Sequence, residues 1–369
     1  MTNDSPTNRR DFLTRVLPDG TGSDASESQS RPTGDVAAGS ARIVPAAGDT
    51  LRLGARVMAC DFTVILNPGR DSGLGAASDA LNLVGELEDQ LSVYRGGSEV
   101  TRLNRRAAHA PVAVTQNLFD LLARSRDLAF ELDGAFDPTI GPLLRLWRRG
   151  QEEHRLPTDD DVAAVRSLIG MQHVQLNEAR LTVAFDRDGV ELNFGANGKG
   201  YAVDRAGAVL TAGGVADWLI HGGHSSILGR GHHAGHRGWP IGLRNPLFPR
   251  ESWATILLHN QAMATSGSGV QFYRIQGNRY NHIVNPLTGW PVEGQLSVTV
   301  FAPTAELADT LSTAFFVMGV EKARRYCDNH REVGAILTPP PEQGRKLTPI
   351  LCNIPPENLF FHHDTDIAD

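Results

Sequence analysis

The chain has 369 residues, 41% of them hydrophobic, enough to bury a large core as one big unit or two intimate ones. Lys+Arg 35 against Asp+Glu 42 gives net −7, with no basic block and no basic stripe interleaved with aromatics, which argues against a nucleic-acid partner. The three scattered cysteines, Cys60, Cys327 and Cys352, offer neither zinc spacing nor a disulfide framework, and no apolar run approaches the ~20 residues of a transmembrane segment.

In chain order, Asn8-Arg9-Arg10-Asp11-Phe12-Leu13 resembles a twin-arginine export signal. A polar, Ser/Gly/Asp-rich run follows it, in place of the apolar region of roughly 7–15 residues that such a signal needs. Residues 1–42 are therefore expected to be a disordered leader. A cytoplasmic location is expected for the same reason, with export or membrane association as the alternative. Residues 43–355 are expected to form the folded unit and 356–369 a loose tail. Leu51 to Leu66 alternates and carries β-branched residues, predicting strands. Ser78 or Asp79 caps a helix with Leu81, Val84, Leu87 and Leu91 on one face. Thr115 caps the next, with Gly134 as its stop. Gly134 to Pro142 is too rich in Gly and Pro for helix or strand. Thr158 with Asp161 makes a capping pair for a helix ending at Gly170, and HVQLNEARLTVAF reads as a hairpin around Asn177 to Arg180.

The stretch from Leu192 to Asp204 draws attention. An apolar strand, VELNF, is expected to run into three glycines and then into a helix, AVDRAGAVL. Glycines admit a close ligand, a helix N-terminus offers N–H groups to an anion, and Lys199 adds a positive charge at that mouth. The alternative is a tight turn with a solvated lysine. Neither common phosphate-loop pattern fits. Trp218 to Gly223, Trp239 to Leu243, Ser252 to His259 and SVTVFAP predict further strands, while Met263 to Gly267 and Asn281 to Gly289 read as short polar-ended segments. Thr304 caps a helix through Met318, with Gly319 as its stop. Strands and helices mix without a βαβ rhythm, so the expected class is α+β.

On that last helix Asp309 and Thr313 are four apart and share a face. They are either two oxygen ligands for a hard cation, or a surface Asp and a Thr bonding its own backbone. His232, His233 and His236, near His221 and His224, lack accompanying Cys or carboxylate spacing and read as a glycine-rich loop that holds histidines. Asp137 is a rigidly held carboxylate that either receives a ligand hydrogen bond or forms an Asx-type turn. Tyr94 and Met58 suit either a flat ring system or the core.

Taken in order, these pieces resemble the FAD:protein FMN transferase (ApbE-like flavin transferase) family, from about Arg52 to about Ala335. The family's M-G-T stands here as Met58-Ala59-Cys60. Its S-x-Y and S-E-x-x-x-L-N stand as Ser92 to Tyr94 and Ser98 to Asn104. G-x-F-D-P-T-x-G-P-L is intact from Gly134 to Leu143. L-D-x-x-A-x-x-K-G-Y-A-x-D spans Leu192 to Asp204, and strand-G-G falls at Gly222-Gly223. A-x-A-T-S-G covers Ala262 to Gly267, H-I-x-x-P-x-T-G-x-P covers His282 to Pro291, and A-D-x-x-x-T-A covers Ala308 to Ala314. The resemblance implies a mixed-sheet α+β fold in a single large catalytic unit. It also implies a Mg²⁺-dependent reaction that cleaves FAD, moves FMN to a Thr or Ser hydroxyl of an acceptor flavoprotein and releases AMP. By position, the Mg²⁺ ligands would be the Ala196 carbonyl, the Asp309 carboxylate and the Thr313 hydroxyl, with Ser312 alongside. Lys199, His282 and Asn193 would lie near the flavin nucleotide, with Met58, Tyr94, Ala135, Phe136 and Asp137 lining its pocket. Asp309, His282 and Lys199 are the catalytic candidates. The family's acids stand here as Asn193, His224 and Ser268; their loss favours a non-catalytic FAD-binding module, whereas the intact metal helix and Lys199 favour the transferase or, as the other alternative, a Mg²⁺-dependent FAD pyrophosphatase.

Overall fold

The computed structural model describes residues 44–69, 73–269, 272–342, 344 and 346–362; the leader and the end of the tail lie outside them. Its frame is an eight-stranded sheet whose strands follow one another across the sheet as they do along the chain. They are Leu51–Val57, Cys60–Leu66, Trp218–Gly222, Ser226–Arg230, Gln261–Gly267, Ser297–Ala302, Gly334–Thr338 and Ile350–Cys352. Every neighbouring pair is antiparallel. The first hairpin closes at Met58-Ala59, with Val57 opposite Cys60. Both turn residues take positive φ, 51° and 58°, as a tight two-residue hairpin turn requires.

Alternation along the strands divides the core. Phe62, Val64 and Leu66 point into the main cluster with the helices Leu74–Leu91, Gly198–Ala212 and Ala305–Met318. Ile65, Leu219, Ile227, Met263, Phe301 and Ile336 point to the other face. There they meet Trp239, Trp253, Ile256, Leu258 and Leu359 of a three-stranded sheet made by Trp239–Arg244, Ser252–Leu258 and Leu359–Phe361. A smaller aromatic cluster gathers on Trp147, with Tyr273, Tyr280 and Trp290 against its ring. The class is α+β, as expected.

Locally encoded ends fall where the sequence puts them. Thr115 accepts from Leu118 N–H, Thr158 and Asp161 form a full capping box, and Thr304 accepts from Leu307 N–H. Gly319 ends its helix at φ 78°. Other expectations need correction. The first helix begins at Leu74 behind Gly73, a turn before Ser78. The helix after Thr158 ends at Arg166 rather than Gly170. Gly141 and Pro142, expected outside any helix, open the helix Gly141–Glu152, because proline costs nothing in a first turn. The segment Met263 to Gly267 is a central strand. VELNF is not a strand. Asn104 accepts from Leu192 N–H at 2.8 Å and donates to Leu192 C=O at 3.0 Å, and Asn193 N–H donates to Pro138 C=O at 2.7 Å. A side-chain amide and a loop thus occupy the places of strand neighbours. The expected loose tail is ordered in part, since Leu359–Phe361 pairs with the Ser252–Leu258 strand and His362 Nε2 lies 2.8 Å from Thr255 Oγ1.

Candidate active site

The site forms where the Gly198–Ala212 and Ala305–Met318 helices meet the large sheet. Asp309 sits one turn into the Ala305–Met318 helix and is buried. Its Oδ2 accepts from Gly200 N–H at 2.7 Å and its Oδ1 accepts from Ser226 Oγ at 2.6 Å. Burial pushes its carboxyl pKa up, and the Lys199 charge opposes that shift. The expectation that the Gly198–Ala212 helix offers a bare anion-binding N-terminus is therefore only partly met. Gly198 N–H already donates to Phe194 C=O at 2.7 Å, and Gly200 N–H is spent on Asp309.

A turn further along the same helix, Ser312 Oγ lies 2.9 Å and Thr313 Oγ1 3.2 Å from Ser266 Oγ on the neighbouring central strand. Ser312 also donates to Asp309 C=O at 3.0 Å. Thr313 thus meets a hydroxyl of a neighbouring strand. Lys199, Asp309, Ser312 and Thr313, drawn from separate motifs, fall in one neighbourhood. Gly200, one of the glycines of the Leu192 to Asp204 stretch, and Ser266, in the A-T-S-G run, complete it together with Ser226, which carried no signal in the sequence.

Ala196 is half-buried in the turn that leads to Lys199. Beside it Asn197 is fully buried; its Nδ2 donates to Ser125 Oγ at 3.0 Å, while its Oδ1 has no partner among the described residues. A buried acceptor without a donor marks a place for water or a ligand. No group of three or more His, Cys, Asp or Glu side chains gathers as a metal centre among the described residues. The donors here are one carboxylate, hydroxyls and backbone oxygen. Such a set suits a hard cation only when ligand oxygens complete it.

Asn193 lies at the start of that turn, and its Oδ1 accepts from Gly195 N–H at 2.8 Å. His224, at φ 63°, stacks on His221 with ring centroids 4.7 Å apart. Burial lowers the pKa of both, His221 to about 4. Cys60 lies against the Gly223 turn, 3.1 Å from the point where a β-carbon there would sit. Its thiol pKa is raised by burial against the pull of Lys199. Ser268 bonds Leu296 C=O.

The remaining candidates come from other elements of the fold. Tyr94 is 72% exposed, so it is not a core residue. Its hydroxyl accepts from Arg148 Nη2 at 2.7 Å, and the guanidinium carbon lies 5.1 Å from its ring centre. Met58 is at the hairpin turn, half-buried. Ala135 and Phe136 are buried in the main core. Asp137 is buried too, and its oxygens accept from Thr139 N–H at 2.8 Å, Thr139 Oγ1 at 2.6 Å and Met171 N–H at 3.2 Å. It holds its own loop, and burial raises its pKa. That loop and the helix after it touch the segment after half-buried His282: Gly134 faces Leu287, and Trp147 Nε1 donates to Gly289 C=O at 2.9 Å. The histidine loop is structural, because His233 stacks on Trp239 at 4.6 Å, accepts from Gly48 N–H at 2.9 Å and lies 2.6 Å from Asn67 Oδ1.

Comparison with known proteins identifies the family of the folded region as a whole. A sequence model described as the ApbE family matches residues 58–337. A Klebsiella pneumoniae (strain 342) protein named FAD:protein FMN transferase is 33% identical over 263 residues, covering 70% of this chain and 81% of its own length. A Treponema pallidum (strain Nichols) protein of the same name is 32% identical over 262 residues, covering 67% and 72%. The crystal structure of the ApbE protein of Thermotoga maritima superposes with a TM-score of 0.73 at 26% identity, over 79% of this chain and 94% of that one. The flavin transferase ApbE of Vibrio cholerae gives 0.70 at 27% identity, over 82% and 97%. With most of the folded region matched, this chain belongs to the ApbE family of FAD:protein FMN transferases.

Proposed function

We propose that this transferase moves FMN from FAD to a Thr or Ser hydroxyl of a partner flavoprotein, releases AMP, and uses Mg²⁺ to do so. The observation that carries the reading is Asp309, a buried carboxylate whose pKa is raised by desolvation, fixed by Gly200 and Ser226 beside Lys199 and a cluster of hydroxyls. A buried carboxylate is costly unless a cation accompanies it. Bound there, Mg²⁺ supplies charge neutralisation for the pyrophosphate during phosphoryl transfer. Asp309, Thr313, Ser312 and the Ala196 carbonyl are the residues that would hold it. Lys199 holds pyrophosphate oxygens by its positive charge. The exposed ring of Tyr94, backed by Arg148, offers a flat face to one of the FAD ring systems, with Met58, Asn193 and the Gly134 to Asp137 loop shaping the rest of the nucleotide site.

The acceptor hydroxyl oxygen forms a bond to the phosphorus of the FMN half. The bond from that phosphorus to the AMP phosphate oxygen breaks, AMP leaves, and the hydroxyl proton passes to a base, for which His282 is the candidate. Ser312 and Thr313 would be oxygen ligands of the ion, which leaves the nucleophile to be the acceptor's hydroxyl. Asp309→Ala tests the reading. With FAD and Mg²⁺, the wild-type chain should release AMP and the variant should not. Wild-type-like AMP release by Asp309→Ala would remove Asp309 from the reaction.

A further inference from the structure

Two carboxylates, not one, link the helices that build the site. Asp204 lies one turn after Gly200 on the Gly198–Ala212 helix, so the two share a face. Gly200 N–H reaches across to Asp309. In the opposite direction, Asp204 Oδ1 accepts from Ala305 N–H at 2.7 Å and Asp204 Oδ2 accepts from Glu306 N–H at 2.8 Å. Asp309 in turn lies one turn after Ala305. Each helix thus binds the first turn of the other through a carboxylate, and the two links are a single helical turn apart.

The spacing between the helices is set by contact. A β-carbon on Gly200 would lie 2.1 Å from Ala305 C=O and 2.7 Å from Glu306 N, so the backbones are as close as they can come. Capping alone does not account for Asp204, since the Ala305–Met318 helix already has a local cap in Thr304. From a third helix, Gln116–Glu131, Arg124 grips the Glu306 carboxylate at 2.8 Å, so the same turn is held on a second side. Asp204 is itself half-buried, and its pKa is raised to about 6 by that burial. Burying a second carboxylate close to Asp309 costs stability, which sets it apart from an ordinary surface cap.

We propose that Asp204 is a positioning residue for the reaction: it locks the first turn of the Ala305–Met318 helix onto the Gly198–Ala212 helix, and so fixes where the Asp309 carboxylate points. The inference rests on reading Asp309 as the metal-binding carboxylate. Asp204 acts through two backbone N–H groups and touches no substrate.

The test uses the full chain with Asp204→Ala, Asp204→Asn, Thr304→Ala and Asp309→Ala. Hydrogen exchange of the Gly200 amide reports the Gly200–Asp309 bond without any metal. Mn²⁺ titration by electron paramagnetic resonance in the presence of FAD reports the site, and urea unfolding reports stability. Asp204→Ala should speed Gly200 exchange and weaken Mn²⁺ binding by about tenfold each, the equivalent of ~1.4 kcal/mol. Asp204→Asn, which keeps one acceptor oxygen, should fall between it and wild type, and it carries the same test should Asp204→Ala fail to fold. Thr304→Ala should lose comparable stability with Gly200 exchange and Mn²⁺ affinity unchanged. If Asp204→Ala and Asp204→Asn behave as Thr304→Ala does, Asp204 is only a cap and the proposal is overturned. If Asp204→Ala exposes Gly200 while Asp309→Ala leaves Mn²⁺ binding intact, the clamp stands and the metal reading fails.

Discussion

Gly200→Ala places a methyl group where there is no room for one. Its nearest neighbours would be Ala305 O at 2.1 Å, Ala305 C at 2.4 Å and Glu306 N at 2.7 Å. All three are backbone atoms, which cannot swing aside as a side-chain tip does. The helices must separate by an ångström or so, which costs roughly 1–3 kcal/mol as overpacking. Separation also stretches the bond from Gly200 N–H to the Asp309 carboxylate, a charge-assisted bond worth about 1.5–3 kcal/mol. Against this, alanine is the better helix former by about 1 kcal/mol. The net expectation is a loss of roughly 2–5 kcal/mol, a large part of a typical domain's stability, together with loss of Mg²⁺-dependent AMP release. Urea unfolding gives the number through the midpoint and slope. Two internal controls make the reasoning specific. At Gly198 the nearest contact would be Phe194 Cβ at 3.3 Å, and at Gly85 nothing lies within 4 Å. Gly85→Ala should stabilise by about 0.5–1 kcal/mol, and Gly198→Ala should be close to neutral. A Gly200→Ala variant within ~0.5 kcal/mol of wild type, the range of an unremarkable surface change, would refute the close-approach argument.

Three further expectations can be checked separately. Ala59 adopts φ 58° in the first hairpin turn, so Ala59→Gly should stabilise by about 1 kcal/mol through relief of the left-handed conformation; a fall in the unfolding midpoint would contradict this. His221 titrates at 6.5 when free and is pushed down to about 4 in the fold, chiefly by burial. The fold therefore prefers the neutral ring, and this contribution is complete above pH 6.5 and is lost as pH falls through about 4. It amounts to roughly 3 kcal/mol at most, and urea titrations at pH 7, 5 and 4 should show the loss in wild type and a flatter profile in His221→Gln. Tyr94→Ala should leave stability nearly unchanged, because the ring is 72% exposed. The same variant should weaken FAD binding by about 1–3 kcal/mol, the worth of one base–aromatic stack, read by fluorescence titration; unchanged FAD affinity would take Tyr94 out of the nucleotide site.

What the sequence discloses and what it hides divide along physical lines. The caps at Thr115, Thr158 and Thr304 and the stop at Gly319 are legible because each is satisfied within four residues of itself. The segment VELNF misleads because its apolar pattern is real, Leu192 and Phe194 being buried, while its backbone partners are Asn104 and Pro138 rather than strands. Asp137 is conspicuous in sequence for the rigidity of its setting, and that rigidity turns out to be its own work, through Thr139 and Met171. Asp309 and Thr313 are legible as a pair on one helix face. The partners of Ser226, Ser266, Gly200 and Asp204 are not, although three of the four lie in recognisable motifs, because each reaches its partner across dozens of residues of chain. No local pattern encodes such a contact; only the fold brings it about.

The most direct test of the central claim is mass spectrometry of an acceptor peptide containing Thr and Ser residues, after incubation with this chain, FAD and Mg²⁺. The account predicts that the peptide gains the mass of FMN less water on its Thr or Ser, that AMP accumulates in step with it, and that Asp309→Ala yields neither. AMP with free FMN and an unmodified peptide would show hydrolysis instead of transfer, and FAD bound but uncleaved would contradict the account altogether.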